Sequence, residues 1–255
     1  VSISDLTVDG NRANQTLLGT HCIRVSGVDK LHITRCTIRE AVHYGIGFQG
    51  GTMSAVFLTD LVITNTGGDG IDFKNKNDNN VGLFLNNLFI DNFGLDTVNL
   101  NEQTGIDIRG PAFINNVHVR TVTPTDQVGI RFRQGEVGET NGLGGHKSTL
   151  SNFVIELPNA TATLGIAVVA RECSISNGFI ASPYRGVQVH AARCLVTNVQ
   201  VKDAGDAGFA TATVGSVDNA SDTLFTNCIA RWVTLSGAKR GFRLGVTAPS
   251  GSRVA

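Results

Sequence analysis

The chain has 255 residues, a formal net charge of zero and only 16% charged residues, which argues against nucleic acid as a partner. It contains no apolar run long enough to span a membrane and no secretory signal pattern, so we expect no membrane partner. Gly is abundant at 30 residues, Pro is scarce at 5, and Val and Ile outnumber Leu, a composition that favours strands over helices.

The first recurring element is a four-residue phrase whose third position is polar and typical of a turn. Its copies read ISDL (3–6), ITRC (33–36), LTDL (58–61), LNNL (85–88), INNV (114–117), LSNF (150–153), ISNG (175–178), VTNV (196–199) and FTNC (225–228). Eight steps separate the first and last copies, which gives about 28 residues per step and indicates a solenoid. Asn suits the third position because it tolerates unusual backbone angles and its amide can bond to the copy in the next coil.

A second phrase, Gly followed by alternating inward and outward residues, runs in step with the first. Its copies read GIGF (45–48), GIDF (70–73), GIDI (105–108), GIRF (129–132), GIAV (165–168), GVQV (186–189), GFAT (208–211) and GFRL (241–244). Each repeat therefore carries at least two short strands separated by turns.

Together the two phrases predict an all-β, single-stranded parallel β-helix of about nine coils over residues 1–255, taken as a fragment without its N-terminal cap. A four-residue strand cannot bury a face alone, whereas stacked coils bury a continuous core and give each backbone N–H a partner. A leucine-rich repeat is the alternative, and LTDLVITN (58–65) resembles its phrase. The Asn falls one residue early and Leu does not dominate, so we favour the β-helix.

With the coils in register, charge concentrates on the outward positions of the second phrase in three consecutive coils. These charged residues are Asp72, Lys74, Asp107, Arg109, Arg131 and Arg133. Gln188 and His190 occupy the same two columns further along, where the other residues are mostly small or neutral. Basic residues beside carboxylates predict a surface that binds the carboxylates of an acidic polysaccharide, so we assign Lys74, Arg109, Arg133, Gln188 and His190 to substrate binding.

Asp72 and Asp107 are expected to be vertical neighbours, about 5 Å apart. Two carboxylates that close raise the pKa of one of them, which suits the acid and the nucleophile or base of a glycoside hydrolase. Their outward position also predicts that Asp107→Asn would abolish cleavage and leave stability nearly intact.

A lyase is the alternative chemistry for the same residues. Arg131 or Lys74 would then take the proton alpha to a sugar carboxylate, while Arg109 and Arg133 neutralise the developing enolate. Opposite charges stacked between coils are also ordinary surface stabilisation, and that interpretation stays open.

Two long insertions, residues 91–104 and 134–147, flank these coils. Long loops on a rigid solenoid often carry binding or catalytic groups. We therefore take Glu102 as a candidate catalytic acid, and Glu136 and Glu139 as candidate substrate-binding residues.

Five of the nine outward positions of the strand after the Asn turn are large and apolar where water is expected. They include Val62, Phe89, Val154, Phe179 and Ile229. A contiguous apolar stripe predicts covering by a loop or by another subunit, and we favour a homotrimer packed along its long axis.

From VSISDLTVDGNR (1–12) to GFRLGV (241–246), the chain resembles the pectate-lyase-like superfamily of right-handed parallel β-helices, and its opening phrase resembles phage tailspike depolymerases. Members of that superfamily are mostly secreted or virion-borne and cleave or modify polysaccharides, and tailspikes are homotrimers. The resemblance implies a right-handed helix, an extracellular or virion location and a polysaccharide substrate.

The motifs of individual members match only in part. Gly68-Asp69-Gly70 offers one Asp of the Asp-Asp pair of polygalacturonase-type hydrolases, and RFR (131–133) loosely resembles their basic triplet. Their Gly-His-Gly is missing from the sequence. Calcium-dependent pectate lyases cluster several Asp as metal ligands, and since no firm cluster of that kind is seen we expect no cofactor, with calcium as the alternative.

The sequence thus predicts a depolymerase that binds and cleaves an acidic polysaccharide. The alternative is an adhesin or structural spike that binds glycans without cleaving them. The surroundings of Asp72 and Asp107 distinguish the two, because carboxylates that are each locked to an Arg, with no third acid nearby, favour binding alone.

Overall fold

The computed structural model describes residues 1–15, 19–49, 53, 55–74, 82–96, 103–122, 127–133, 146–158, 163–211, 220, 222–233, 239–244 and 253–254. The candidates Glu102, Glu136 and Glu139 lie outside these residues. A single 3₁₀ turn, Arg12–Asn14, interrupts the strands of the described part. No helix in this part is long and apolar enough to cross a membrane.

The strands, in chain order, are β1 (Ser2–Ser4), β2 (Thr7–Asp9), β3 (Ile23–Val25), β4 (Lys30–Arg39), β5 (Ile46–Gln49), β6 (Ala55–Thr64), β7 (Ile71–Lys74), β8 (Gly82–Asp91), β9 (Gln103–Ile108), β10 (Ala112–Arg120), β11 (Gln127–Phe132), β12 (Thr149–Glu156), β13 (Leu164–Val168), β14 (Ser174–Ala181), β15 (Arg185–Val189), β16 (Leu195–Lys202), β17 (Ala207–Thr211), β18 (Leu224–Thr226), β19 (Ile229–Arg231), β20 (Arg240–Arg243) and β21 (Arg253–Val254).

The strands form two parallel sheets whose neighbours are successive coils of the chain. The first sheet runs β1-β4-β6-β8-β10-β12-β14-β16-β18-β21, with β2 beside β4 and β19 beside β16. The second runs β20-β17-β15-β13-β11-β9-β7-β5-β3. Crossovers between parallel strands of one sheet are right-handed in almost all proteins. The chain is therefore the right-handed parallel β-helix that the sequence predicts.

The polar third position of the first phrase bends each long strand of the first sheet. All nine residues at this position, from Asp5 to Asn227, have φ between 50° and 58°, in the left-handed region. Asn is the side chain that accepts this conformation at low cost, and its amide bonds along the stack, as from Asn116 Nδ2 to Asn87 Oδ1 at 3.0 Å. The predicted Asn turn is confirmed.

A second set of left-handed residues, which the sequence analysis did not single out, ends the long strands. Glu40, Asn65 and Asn92 have φ of 53°, 55° and 58°. The amide of Asn65 donates to Glu40 Oε1 at 2.6 Å, and that of Asn92 donates to Asn65 Oδ1 at 2.7 Å. From this ladder the chain turns towards the second sheet, and the turn carries the residues that border the candidate site.

The core lies between the two sheets and is built from inward columns in register. Ile71 pairs with Ile106, and Ile106 with Ile130, and all three side chains are fully buried. Each such burial contributes about 1.5–3 kcal/mol relative to an exposed side chain. In β9 and β11 every residue is buried, the outward ones included, so the outer face of the second sheet is covered there as well.

Candidate functional site

The outward column of the second sheet has the register that the sequence predicts. Asp72 pairs with Asp107 across β7 and β9, and Asp107 pairs with Arg131 across β9 and β11. The three residues are therefore vertical neighbours on consecutive coils.

These residues are buried, although the sequence analysis expected them on an open outer surface. Asp72 is 0% exposed, Asp107 1% and Arg131 5%. A charge without water needs opposite charge or hydrogen bonds close by. The longer side chains of the adjacent column, from Lys74, Arg109 and Arg133, provide them by contacting the two carboxylates.

Asp107 is the centre of a three-arginine cluster. Arg131 donates from Nε to Oδ1 at 3.2 Å and from Nη2 to Oδ2 at 3.3 Å. Arg133 Nε lies 3.0 Å from the carboxylate, and Arg109 Nη2 lies 3.4 Å from Oδ2. A carboxylate has about four acceptor sites, so these four contacts use them all. The name Asp107 cluster is used below for Asp107 together with Arg109, Arg131 and Arg133.

Asp72 is paired differently, with an ammonium instead of a guanidinium. Lys74 Nζ lies 2.8 Å from Oδ2. Within the described residues this ammonium is the charged partner of Asp72, and Oδ1 has no hydrogen-bond donor. Burial raises the pKa of Asp72, and the ion pair with Lys74 opposes that rise only in part.

Asp69 is a third acid beside this pair. It lies in the turn before β7, is 6% exposed, and accepts a hydrogen bond from the backbone N–H of Thr104 at 2.7 Å. Burial, and then the charges of Asp107 and Asp72, raise its pKa well above the ordinary value. The sequence analysis noted Asp69 only as half of a motif. A Gly-Asp-Gly turn directly before a charged strand is the signal that could have assigned it to the site.

A cluster of three rings borders the acids. The ring of Tyr44 stacks on His43 with centroids 3.7 Å apart and on His21 with centroids 4.8 Å apart. Glycines make the room, because a Cβ at Gly47 would lie 2.9 Å from the His21 ring and one at Gly68 would lie 2.8 Å from the His43 ring. From the sequence alone these rings have no assigned role, because coil register predicts vertical neighbours only for strand positions.

The electrostatics of the rings follow from burial. Burial, followed by the charges of Asp69 and Asp72, raises the pKa of Tyr44. Burial and the charge of Lys74 lower the pKa of His43, and burial lowers that of His21 to about 4. Both imidazoles are therefore uncharged near neutral pH. Lys74 Nζ lies 5.3 Å from the centroid of the Tyr44 ring, which joins the rings to the basic side chains.

The accessible surface of the site is basic. The side chains of Lys74, Arg109 and Arg133 are 24%, 12% and 35% exposed, whereas the acids they contact are buried. An anion that approaches this face meets ammonium and guanidinium groups before it meets a carboxylate.

The donor set does not fit a calcium ion. Asp69, Asp72 and Asp107 each offer an oxygen within 4.8 Å of the others. Calcium needs six to eight oxygen ligands. All acceptor sites of Asp107 are used by arginines and Lys74 contacts Asp72, so the positive charge of the cluster already comes from the protein.

Gln188 and His190 lie further along the same sheet. Gln188 is in register with Ala167, which pairs with Arg131, so Gln188 stands two coils from the Asp107 cluster. It is 6% exposed and accepts a hydrogen bond from Arg185 Nη1 at 3.1 Å. Burial and the charge of Arg185 lower the pKa of His190 to about 4. Neither residue contacts the acids of the site.

The apolar stripe of the first sheet is aligned as the sequence predicts. Val62 pairs with Phe89 and Val154 with Phe179, and His118 and Gln200 interrupt the column. Val62 and Ile229, at 38% and 43%, are exposed and the other apolar members are partly so. A second outward column was missed. There His32, Phe57, Phe84 and Phe113 stack with centroids 4.6, 4.9 and 5.3 Å apart.

Comparisons with known proteins add little to this geometry. No family model and no curated protein matches the chain. Among solved structures it is similar to a mannuronic acid specific polysaccharide family 6 lyase from the human gut microbiota. The identity is 12% and the TM-score 0.37, over all of this chain and 76% of that one. At these values the likeness says nothing about activity, and the fold stands on the strand pairing itself.

Proposed function

We propose that the protein binds an acidic polysaccharide on the outer face of its second sheet and cleaves it by β-elimination. The observation that supports this most is the layering of the site, with cationic side chains outermost and the carboxylates that hold them buried beneath. Hydrolysis needs a carboxylic acid that protonates the glycosidic oxygen, and both Asp72 and Asp107 lie under their cations.

Substrate binding follows from this layering. Arg109 and Arg133 are held by Asp107 and Lys74 by Asp72, so these cationic groups are already placed to meet a sugar carboxylate. Neutralising that carboxylate makes the hydrogen on the adjacent carbon more acidic, and fixed cations do so without reorganisation. Arg131, buried against Asp107, acts as a positioning residue in this proposal.

His43 is the proton acceptor that fits best. Its imidazole is uncharged near neutral pH and lies at the edge of the basic surface, whereas Lys74 is engaged as the ion-pair partner of Asp72. The imidazole takes the proton from the carbon next to the sugar carboxylate. The electron pair of that C–H bond forms the carbon–carbon double bond, the C–O bond to the next sugar breaks, and water protonates the departing oxygen.

A binding protein without cleavage is the second candidate function. The burial of Asp72 and Asp107 favours it, because a surface of cations over buried carboxylates is also what a glycan-binding adhesin or structural spike needs.

Incubation with a panel of uronate polysaccharides tests both functions. We expect shortened chains whose new ends absorb ultraviolet light as unsaturated uronates. New reducing ends without that absorbance would show that the protein cleaves by hydrolysis and not by elimination. Retention of the polymer without shortening would leave only the binding function, and a protein that neither retains nor shortens any acidic glycan would remove the proposal.

The biological context belongs to the same proposal. A tailspike-like or secreted depolymerase would meet its polysaccharide outside the cell or from a virion. The apolar stripe around Phe89 and Phe179 is the surface through which we expect three copies to pack, and a monomer in sedimentation at high concentration would contradict that assembly.

A further inference from the structure

A second cluster of one acid and three arginines lies on the second sheet, away from the site. Asp206, directly before β17, is 6% exposed. Arg185 Nε lies 2.9 Å from its Oδ2, Arg243 Nη1 lies 2.8 Å from the same oxygen, and Arg240 Nη1 contacts Oδ1. We name these four residues the Asp206 cluster.

The cluster has more positive charge and more donors than its acid can use. Three guanidiniums and one carboxylate leave a surplus of two positive charges. Each guanidinium offers five N–H groups, whereas a carboxylate has about four acceptor sites. Burial raises the pKa of Asp206, but the contacts with Arg185 and Arg243 outweigh burial and hold that pKa below its ordinary value. The surplus of two positive charges therefore persists at neutral pH.

The surplus donors face outwards. The side chains of Arg185, Arg240 and Arg243 are 26%, 48% and 41% exposed, and Asp206 lies beneath them. A buried carboxylate that fixes three exposed guanidiniums is a preorganised anion site, because the bidentate fork of Arg matches a carboxylate.

The strand register places this cluster on the outward column that contains the Asp107 cluster. Arg131 pairs with Ala167, Ala167 with Gln188, Gln188 with Ala210, and Ala210 with Arg243. Four steps at about 4.8 Å put Arg243 about 19 Å from Arg131. Ala167, Gln188 and Ala210 between them are themselves buried, at 4%, 6% and 4% exposed, and Gln188 is bonded to Arg185. A chain that reaches both clusters therefore runs above these three side chains.

We propose that the Asp206 cluster is a second anion subsite, which binds a carboxylate of the same acidic polysaccharide several sugar units away from the one held at the Asp107 cluster. This inference rests on the proposed function. An extended polyuronate carries carboxylates at regular intervals, so a chain that spans the column engages both clusters, and a shorter chain engages one.

Calorimetric titration of the intact protein with uronate oligomers of increasing length tests the subsite. We expect affinity to rise sharply once an oligomer spans the two clusters, and to fall when salt screens the exposed guanidiniums. The Arg240→Gln, Arg243→Gln double variant should lose about ten- to hundredfold in affinity for long oligomers and nothing for short ones. Neutral oligomers of equal length should show no rise in affinity with length.

Two further variants keep the result interpretable. Arg193→Gln, at an exposed pair with Glu172, removes the same charge elsewhere and should bind all lengths as the wild type does. Arg240→Gln alone, at the most exposed of the three arginines, replaces the double variant if that one unfolds. Long oligomers that bind the Arg240→Gln, Arg243→Gln double variant, or Arg240→Gln in its place, as tightly as the wild type would overturn the subsite. If no uronate oligomer of any length binds the wild type, the proposed function fails instead.

Discussion

The Asp107 and Asp206 clusters have the same arrangement of charged side chains in different surroundings. Each has one buried aspartate that holds three arginines on the outer face of the second sheet. In the Asp107 cluster Arg131 is buried as well, and Asp69 and Asp72 lie close by. In the Asp206 cluster all three guanidiniums reach water. The Asp107 cluster is therefore drier and has two further acids beside it, and the Asp206 cluster is more exposed and has more basic surroundings.

This difference in burial and in neighbouring acids predicts that the reaction takes place at the Asp107 cluster and that the Asp206 cluster only binds substrate. Burial and crowded acids raise the pKa values of Asp69 and Asp72, and groups with shifted pKa values gather where protons are moved. The Asp206 cluster holds its acid at a lowered pKa and offers only fixed positive charge. We therefore expect reaction at the Asp107 cluster and affinity from both clusters.

Replacing the central aspartates should give the largest effect and the clearest contrast. Asp107→Asn leaves Arg131 buried without a counter-charge, and losing one partner of a buried ion pair costs about 3–5 kcal/mol of unfolding free energy. Asp206→Asn should cost less than half as much, because water can solvate its arginines. The contacts of Asp107 with three arginines thus reverse the expectation from sequence that stability stays nearly intact.

Urea unfolding of both variants measures this contrast. Asp5→Asn, at the exposed pair with Arg35, is the control and should change stability little. Equal losses for Asp107→Asn and Asp206→Asn would mean that the two clusters are equally solvated and that the distinction drawn between them is wrong.

Cleavage should depend on the ring beside the first cluster and not on the second cluster. His43→Gln removes the proposed proton acceptor and should lower kcat about 10²–10⁴-fold. Because the pKa of His43 lies below 6.5, the wild-type rate should persist to a lower pH than an ordinary histidine allows. Arg243→Gln should raise KM on long substrates and leave kcat unchanged.

Initial rates of unsaturated product against substrate concentration and pH measure these effects. His32→Gln is the matched control, since His32 stacks on Phe57 of the first sheet and should not alter the rate. A kcat for His43→Gln equal to that of the wild type would exclude His43 as the acceptor and turn attention to Lys74.

The stacking of coils could be predicted from the sequence because every repeat has the same kinds of residue at the same turn and strand positions. Nine polar residues at one phrase position all adopt positive φ, and the inward isoleucines at 71, 106 and 130 align. The vertical neighbourhood of Asp72 and Asp107 follows from that register alone.

The burial of the site residues could not be predicted from the sequence in the same way. Outward position in a strand predicts exposure only when nothing folds back over it, and here Lys74, Arg109 and Arg133 contact the carboxylates. Asp69 and His43 lie in turns, where no column assigns neighbours. Asp206 precedes its strand and meets arginines at separations in sequence of 21, 34 and 37 residues, which only the paired coils bring together.

A smaller effect should appear in the pH dependence of stability, and it concerns Asp69, one of the two acids that lie beside the Asp107 cluster. The folded-state pKa of Asp69 lies well above its unfolded value of 3.8. The folded protein therefore holds a proton that the unfolded chain has released, and stability is lost as pH rises from about that value through the folded pKa. The slope for one proton is at most about 1.4 kcal/mol per pH unit.

Asp69→Asn keeps the shape of the side chain and removes its titration, so we expect a flatter curve of unfolding free energy against pH above 3.8. Asp206→Asn should act in the opposite sense and only below 3.8, because the lowered pKa of Asp206 contributes stability that is lost as pH falls from 3.8 through the folded pKa. Urea midpoints at matched pH values compare the two. Parallel curves for the wild type and Asp69→Asn would mean that Asp69 is charged in the folded protein, and the cations over the site would then neutralise three carboxylates, leaving one surplus charge for the substrate.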